Sequence, residues 1–261
     1  MRWARFTSNG TSQYGIVEGE RIRVVDGTPF DGYTATGVEH ALSNVKLEVP
    51  VIPPTFYCVG FNYLGHIKEH GKALGGRKIP EKPDVGYRAV NALIAHDETV
   101  VIPSDATEKI NYEGELVVVI GKKAKNLSEE DALDCVLGYS IGNDVSERNW
   151  QAMDGTLWRS KNSDTFKPMG PWIETDVDLD ELETRVRVNG IETSRFATNA
   201  MLFGVATFIA ATSRYCTLYP GDVMWMGTEG SSPNLKGGDI VEVEISGIGV
   251  LRNPFVKASS D

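Results

Sequence analysis

Residues 112 to 121 read YEGELVVVIG, and this stretch does most to limit what the chain can become. The run LVVVI is apolar on both faces of a strand, so the fold has to cover it on two sides. Glu113 and Glu115 stand two apart at its start. Their side chains therefore share one face, with α-carbons about 6.5 to 7 Å apart. Two anions there repel each other, and burying them unpaired costs several kcal/mol each. A solvated strand end relieves that cost, and so does a hard divalent cation. Asp144, closing the apolar segment YSIGND, adds a third carboxylate. An all-oxygen set of three carboxylates suits Mg²⁺ or Mn²⁺ rather than zinc.

Around this strand the pattern is mostly β. Residues 1–50 carry short alternating runs such as RIRVV and form a small β-rich N-terminal region. VPVIPP then makes a stiff link into a catalytic domain spanning 51–261. TFYCVGFNY predicts a buried strand followed by a short helix ending at Gly71. Residues 71–86, with four glycines and two prolines, predict a mobile loop that could act as a lid. LSEEDALDCVLG predicts a helix capped by Ser128, YSIGND a strand, SERNWQAM a turn or helix. VRVNGIET is a hairpin with an Asn-Gly turn, 199–213 a helix, VMWMGT a strand and GGDIVEVEISGIGVLRN a closing hairpin. The sum is an α+β, β-rich fold with a few flanking helices.

Charge and composition narrow the function. A net charge of −10 without a Lys/Arg cluster argues against nucleic acid or an anionic membrane as partner. No run of 18 apolar residues exists, and MRWARFTSNG lacks the features of a signal peptide, so a soluble cytoplasmic protein is expected. Cys58, Cys135 and Cys216 sit far apart in apolar surroundings, which predicts buried reduced thiols.

GHIKEHG at 65–71 contains H-x-x-E-H, the spacing of a zinc-peptidase signature on His66, Glu69 and His70. Gly65 and Gly71 limit the helix to about one and a half turns, and the carboxylates already offer a better metal site. On such a turn His66 and Glu69 are i and i+3 neighbours, so the carboxylate could orient the imidazole and raise its basicity. His70 is then a solvated histidine.

CVGFNYLGH, YEGELVVVIG, GYSIGNDVSERNWQ, SKNSDTFKPMGPW, VNG, LYPGDVMWMGT and GGDIVEVEISGIG resemble, in order over about 55–253, the fumarylacetoacetate hydrolase family. The resemblance implies a mixed β-sandwich roll, homodimers, and Mg²⁺ or Mn²⁺ on Glu113, Glu115 and Asp144. It implies that His66 and Glu69 activate water and that Lys161 meets the substrate oxygens. Arg148, Gln151 and Thr228 fall on the substrate side, as do Tyr63 and Arg88. The activity it implies is C–C bond hydrolysis of a small acylpyruvate-like 2-oxo acid. Decarboxylation or enol/keto isomerisation through the same enolate is the nearest alternative, and a catalytically silent binding protein is a further one.

Two stretches depart from the family pattern. GYRAVNA places Arg88 and Ala89 where a Lys-Pro pair is common, and EGSSPNLKGGD follows Gly-Thr where a Pro and a Gly-rich turn are common. Glu229 thus falls beside Thr228, the expected anchor of a substrate carboxylate. It either turns away, toward solvent or a base such as Arg88, or it reshapes the pocket for a neutral or donor group.

Overall fold

The structure, a computed structural model, describes residues 1–70 and 79–259. The LVVVI segment lies in the strand Gly114–Ile120, buried along its whole length. Leu116, Val118 and Ile120 pack to one side with Val186, Val241, Val243 and Phe255, while Val117 and Val119 pack to the other with Trp3, Ile173 and Trp225. Both faces are covered, as the sequence requires, and the period of two sets which residues go where.

Among the described residues the largest sheet has 12 strands. Its main path runs Gly32–Ala41, Arg21–Thr28, Thr11–Glu18, Arg2–Ser8, Lys167–Glu174, Val136–Asn143, Gly114–Ile120, Val223–Trp225, Phe56–Val59, Val85–Tyr87. Val223–Trp225 and Phe56–Val59 pair in parallel and most other neighbours are antiparallel, so the sheet is mixed. A second sheet of five strands, Ile191–Ala197, Glu183–Val188, Ile240–Ile245, Gly249–Lys257 and Val100–Ile102, forms the facing layer. The first 50 residues join the large sheet directly, Trp3 opposite Ile173 and Arg2 opposite Glu174. The helices are α1 (Leu64–His70), α2 (Arg148–Met153), α3 (Trp158–Asn162) and α4 (Val205–Tyr215). No helix among the described residues is long and apolar enough to cross a membrane. Cys58 and Cys135 are buried thiols, whereas Cys216 is half-buried.

Three elements differ from the sequence expectation. LSEEDALDCVLG forms no α-helix: Ser128 Oγ donates to the Asp131 carboxylate (2.7 Å) and accepts its backbone N–H (3.2 Å), closing a local turn. Only a 3₁₀ turn, Ala132–Cys135, follows, because Val136 and Gly138 are drawn into pairing with Ile120 and Val119. The helix expected over 199–213 starts later, at Val205, because the Asn62 side chain holds Phe203 in a non-helical bend through its N–H (2.9 Å) and C=O (3.0 Å). The loop expected over 71–86 ends early, with Val85–Tyr87 as a strand beside Phe56–Val59. Its residues 71–78, and with them the lid expectation, lie outside the described residues.

Candidate active site

Glu113, Glu115 and Asp144 come together because of strand register. Gly114 pairs with Asn143, and the Asp144 N–H donates to the Glu113 carbonyl at 2.8 Å. The Asn143 side chain accepts the Glu113 N–H at 3.1 Å, which fixes the chain between the acids. Gly114 points the other way. A Cβ there would lie 2.9 Å from a Val243 methyl and 3.0 Å from a Val186 methyl, so any larger residue between the two Glu would crowd the facing sheet. One oxygen from each acid lies within 4.8 Å of the others, and all three residues are buried.

Among the described residues four cations surround the acids. Lys161 Nζ lies 2.5 Å from Glu113 Oε2 and 3.0 Å from Asp144 Oδ2. Arg148 Nη1 lies 2.7 Å from Glu113 Oε1, and Arg88 Nη2 lies 3.0 Å from Asp144 Oδ2. Lys167, fully buried, stands 2.6 Å from Asp144 Oδ1 but donates to the carbonyls of Val145 (3.1 Å) and Phe166 (2.9 Å). Asp144 Oδ1 is consequently buried without a hydrogen bond. Burial pushes the Glu113 carboxyl up, but Lys161 and Arg148 outweigh it and bring it down to about 2. Asp144 is likewise held well below the usual range, burial being outweighed by Arg88, Lys161 and Lys167. Glu115 accepts the Gly227 N–H at 2.8 Å, but burial plus the charges of Asp144 and Glu113 outweigh this and the pull of Lys161 and push it up to about 8. Burial pulls Lys167 down to about 8. Three convergent buried carboxylates, one raised by its neighbours and one whose Oδ1 meets only the Lys167 ammonium, fit a hard divalent cation.

His66 is buried on α1 beside this cluster. Its Nδ1 meets the Gly230 carbonyl at 2.7 Å, so Nδ1 carries the proton, and Nε2 lies 3.5 Å from Glu113 Oε1. Burial holds the imidazole below its ordinary pKa, which favours the neutral ring. Glu69 does not join it: its side chain is exposed, outside the cavity wall, and the group that bonds Nδ1 is a backbone carbonyl. The zinc reading finds no support among the described residues, where the grouped ligands are carboxylates; the His70 side chain lies outside them.

A cavity of about 300 Å³ opens onto the acids and is lined by His66, Arg88, Gln151, Lys161 and Thr228 among others. Arg148 stands behind Glu113 rather than in the wall, held by Asn111 Oδ1 (2.8 Å) and Gln151 Oε1 (2.8 Å). Tyr63 is a correction. It is fully buried, and its hydroxyl donates to the Thr198 carbonyl (2.6 Å), so it is a core residue without access to substrate. Glu229 is also outside the wall: its Oε1 accepts the backbone N–H groups of His66 (2.9 Å) and Gly230 (2.7 Å), while Arg88 pairs with Asp144. Sequence reasoning missed Lys167 and Gly230. A lysine inside the apolar run TFKPMGPW was the available signal for the first, and a backbone carbonyl leaves none for the second.

Residues 55–256 match the model described as fumarylacetoacetate (FAA) hydrolase C-terminal, and residues 1–50 match Rv2993c-like, N-terminal. The mitochondrial oxaloacetate tautomerase of Xenopus laevis is 38% identical over 84% of this chain and 71% of its own length. The crystal structure of 5-carboxymethyl-2-hydroxymuconate delta-isomerase from Mycobacterium smegmatis superposes with a TM-score of 0.90 at 34% identity, covering 99% of this chain and 100% of that one. Maleylpyruvate hydrolase from Sphingobium sp. SYK-6, solved with manganese(II) and pyruvate, superposes with a TM-score of 0.81 at 25% identity over 99% and 100% of the two chains.

Proposed function

This chain belongs to the fumarylacetoacetate hydrolase family, whose members act as hydrolases, isomerases or tautomerases on small acids, and from that premise we propose that it is a divalent-metal-dependent enzyme moving a proton beside the ketone of a small 2-oxo acid, as in keto–enol tautomerisation. The observation that carries this reading is His66, whose Nδ1 meets the Gly230 carbonyl and whose Nε2 turns to the acid cluster, while Glu69 stays outside the cavity wall. Proton transfer at carbon needs one poised base.

Glu113, Glu115 and Asp144 would hold Mg²⁺ or Mn²⁺, which supplies positive charge where negative charge develops on the substrate oxygens. Thr228 and Arg88, in the wall, offer a hydroxyl and a guanidinium to the substrate carboxylate. Lys161 adds a buried ammonium on the same side. His66 Nε2 would take the proton from the carbon beside the ketone and pass it to the enolate oxygen, or the reverse, the Nδ1–H bond to Gly230 holding the tautomer that leaves Nε2 basic. Val59, Phe61 and Leu157 add apolar surface to the cavity wall.

C–C hydrolysis of an acylpyruvate is the second reading, favoured by the likeness to maleylpyruvate hydrolase. Incubating the Mn²⁺-loaded protein separately with oxaloacetate and an acylpyruvate separates the two. Faster loss of enol absorbance with no new carboxylic acid supports tautomerisation, and release of a free acid from the acylpyruvate supports hydrolysis instead.

A further inference from the structure

The segment after Thr228 departs from the family pattern, and its geometry converges on one residue. Glu229 Oε1 accepts the backbone N–H of His66 at 2.9 Å and that of Gly230 at 2.7 Å. Gly230, at a φ of +71°, turns its carbonyl onto the His66 ring, 2.7 Å from Nδ1. One carboxylate therefore ties the main chain of His66 to the turn that bonds its imidazole. Gly65 makes room for it: a Cβ there would lie 2.0 Å from Glu229 Oε1. A carboxylate oxygen at the end of a flexible side chain can swing away at little cost, so a methyl group at 65 would evict it without disturbing the fold.

We propose that Glu229 is the positioning residue for His66, closing the Gly230 turn over Gly65 so that the ring is held with Nδ1 protonated and Nε2 toward the acids. This rests on His66 being the proton-transferring group. Glu229 neither lines the cavity nor belongs to the acid group, so it reaches the site through the residues it holds, His66 and the Gly230 turn. A carboxamide oxygen can accept the same two N–H groups, so the geometry, and not the negative charge, is what the position supplies.

The test reads the ring itself. Long-range ¹H–¹⁵N NMR of the metal-free protein, at a pH where the imidazoles are neutral, reports which ring nitrogen carries the proton, with His66 assigned by its loss in His66→Gln. In the parent protein His66 shows the Nδ1-protonated pattern. Glu229→Ala and Gly65→Ala both move it toward the average of two exchanging tautomers, with melting temperature little changed in Gly65→Ala, and Glu229→Gln restores the parent pattern. An unaltered His66 pattern in Glu229→Ala, or a Gln variant that behaves as Ala does, overturns the proposal. Turnover by His66→Gln answers the separate question of the function: full activity there removes His66 as the base while leaving the NMR result standing.

Discussion

Lys161 Nζ stands 2.5 Å from Glu113 Oε2, in an ion pair whose side chains are only 4% and 5% exposed. The same ammonium reaches Asp144 Oδ2 at 3.0 Å, so one lysine spans two of the three candidate metal ligands. Breaking a buried pair costs about 3 to 5 kcal/mol when the remaining charge is left alone. Here Arg148 still faces Glu113, and Arg88 still faces Asp144, which lowers the expected loss. Lys161→Met should therefore lower the metal-free melting temperature by several degrees. Mn²⁺ should raise it more in the variant than in the parent, because the ion replaces the missing charge. Thermal unfolding in chelator and in Mn²⁺ checks this, and equal Mn²⁺ increments in both proteins would contradict it.

Gly114 separates Glu113 from Glu115 and has no room for a Cβ between Val186 and Val243. Gly114→Ala should destabilise by about 1 to 3 kcal/mol, the usual cost of overpacking, and should weaken Mn²⁺ binding by shifting the flanking carboxylates. Denaturant midpoints and Mn²⁺ titration measure the two effects. A variant as stable as the parent would show that the facing sheet yields.

Glu174 accepts hydrogen bonds from the amino terminus (2.7 Å), Arg2 Nε (3.0 Å) and the Asp176 N–H (3.1 Å). Burial pushes its carboxyl up, but these bonds outweigh burial and hold it below the ordinary value. A depressed carboxylate stabilises above its unfolded pKa, near 4.3, and the benefit is lost as pH falls through the folded value. The partners are 46% and 41% exposed, so solvent screens the pair. Glu174→Gln should then lower the melting temperature at pH 7 by about 2 to 4 °C, the effect of roughly 1 kcal/mol in a chain of this size. The gap should close below about pH 4. An equal gap at pH 3 and pH 7 would assign the loss to hydrogen-bond geometry instead of charge.

Much of the site was legible because strand periodicity is local. E-x-E on an apolar strand fixes two carboxylates on one face, and Asn143-Asp144 at the end of the next strand brings the third opposite them. Other features depended on distant packing. H-x-x-E on a short helix predicts neighbours, yet His66 faces inward and bonds Gly230, 164 residues away, while Glu69 faces out. Tyr63, beside the motif residues in sequence, is turned into the core by Thr198. Glu229, expected to border a substrate carboxylate, is captured by backbone N–H groups that no side-chain pattern reveals. The false helix at LSEEDALDCVLG has the same origin, since its cap residue Ser128 is equally suited to a turn and the strand beside it claims Val136.

His66→Gln separates proton transfer by His66 from metal binding by the three carboxylates. The direct measurement compares oxaloacetate keto–enol interconversion and Mn²⁺ affinity in the parent protein and in His66→Gln. Interconversion is predicted to fall by ~10² to 10⁴-fold, the usual contribution of a positioned base, with Mn²⁺ affinity nearly unchanged. Undiminished interconversion in His66→Gln, or loss of Mn²⁺ together with it, would contradict the account.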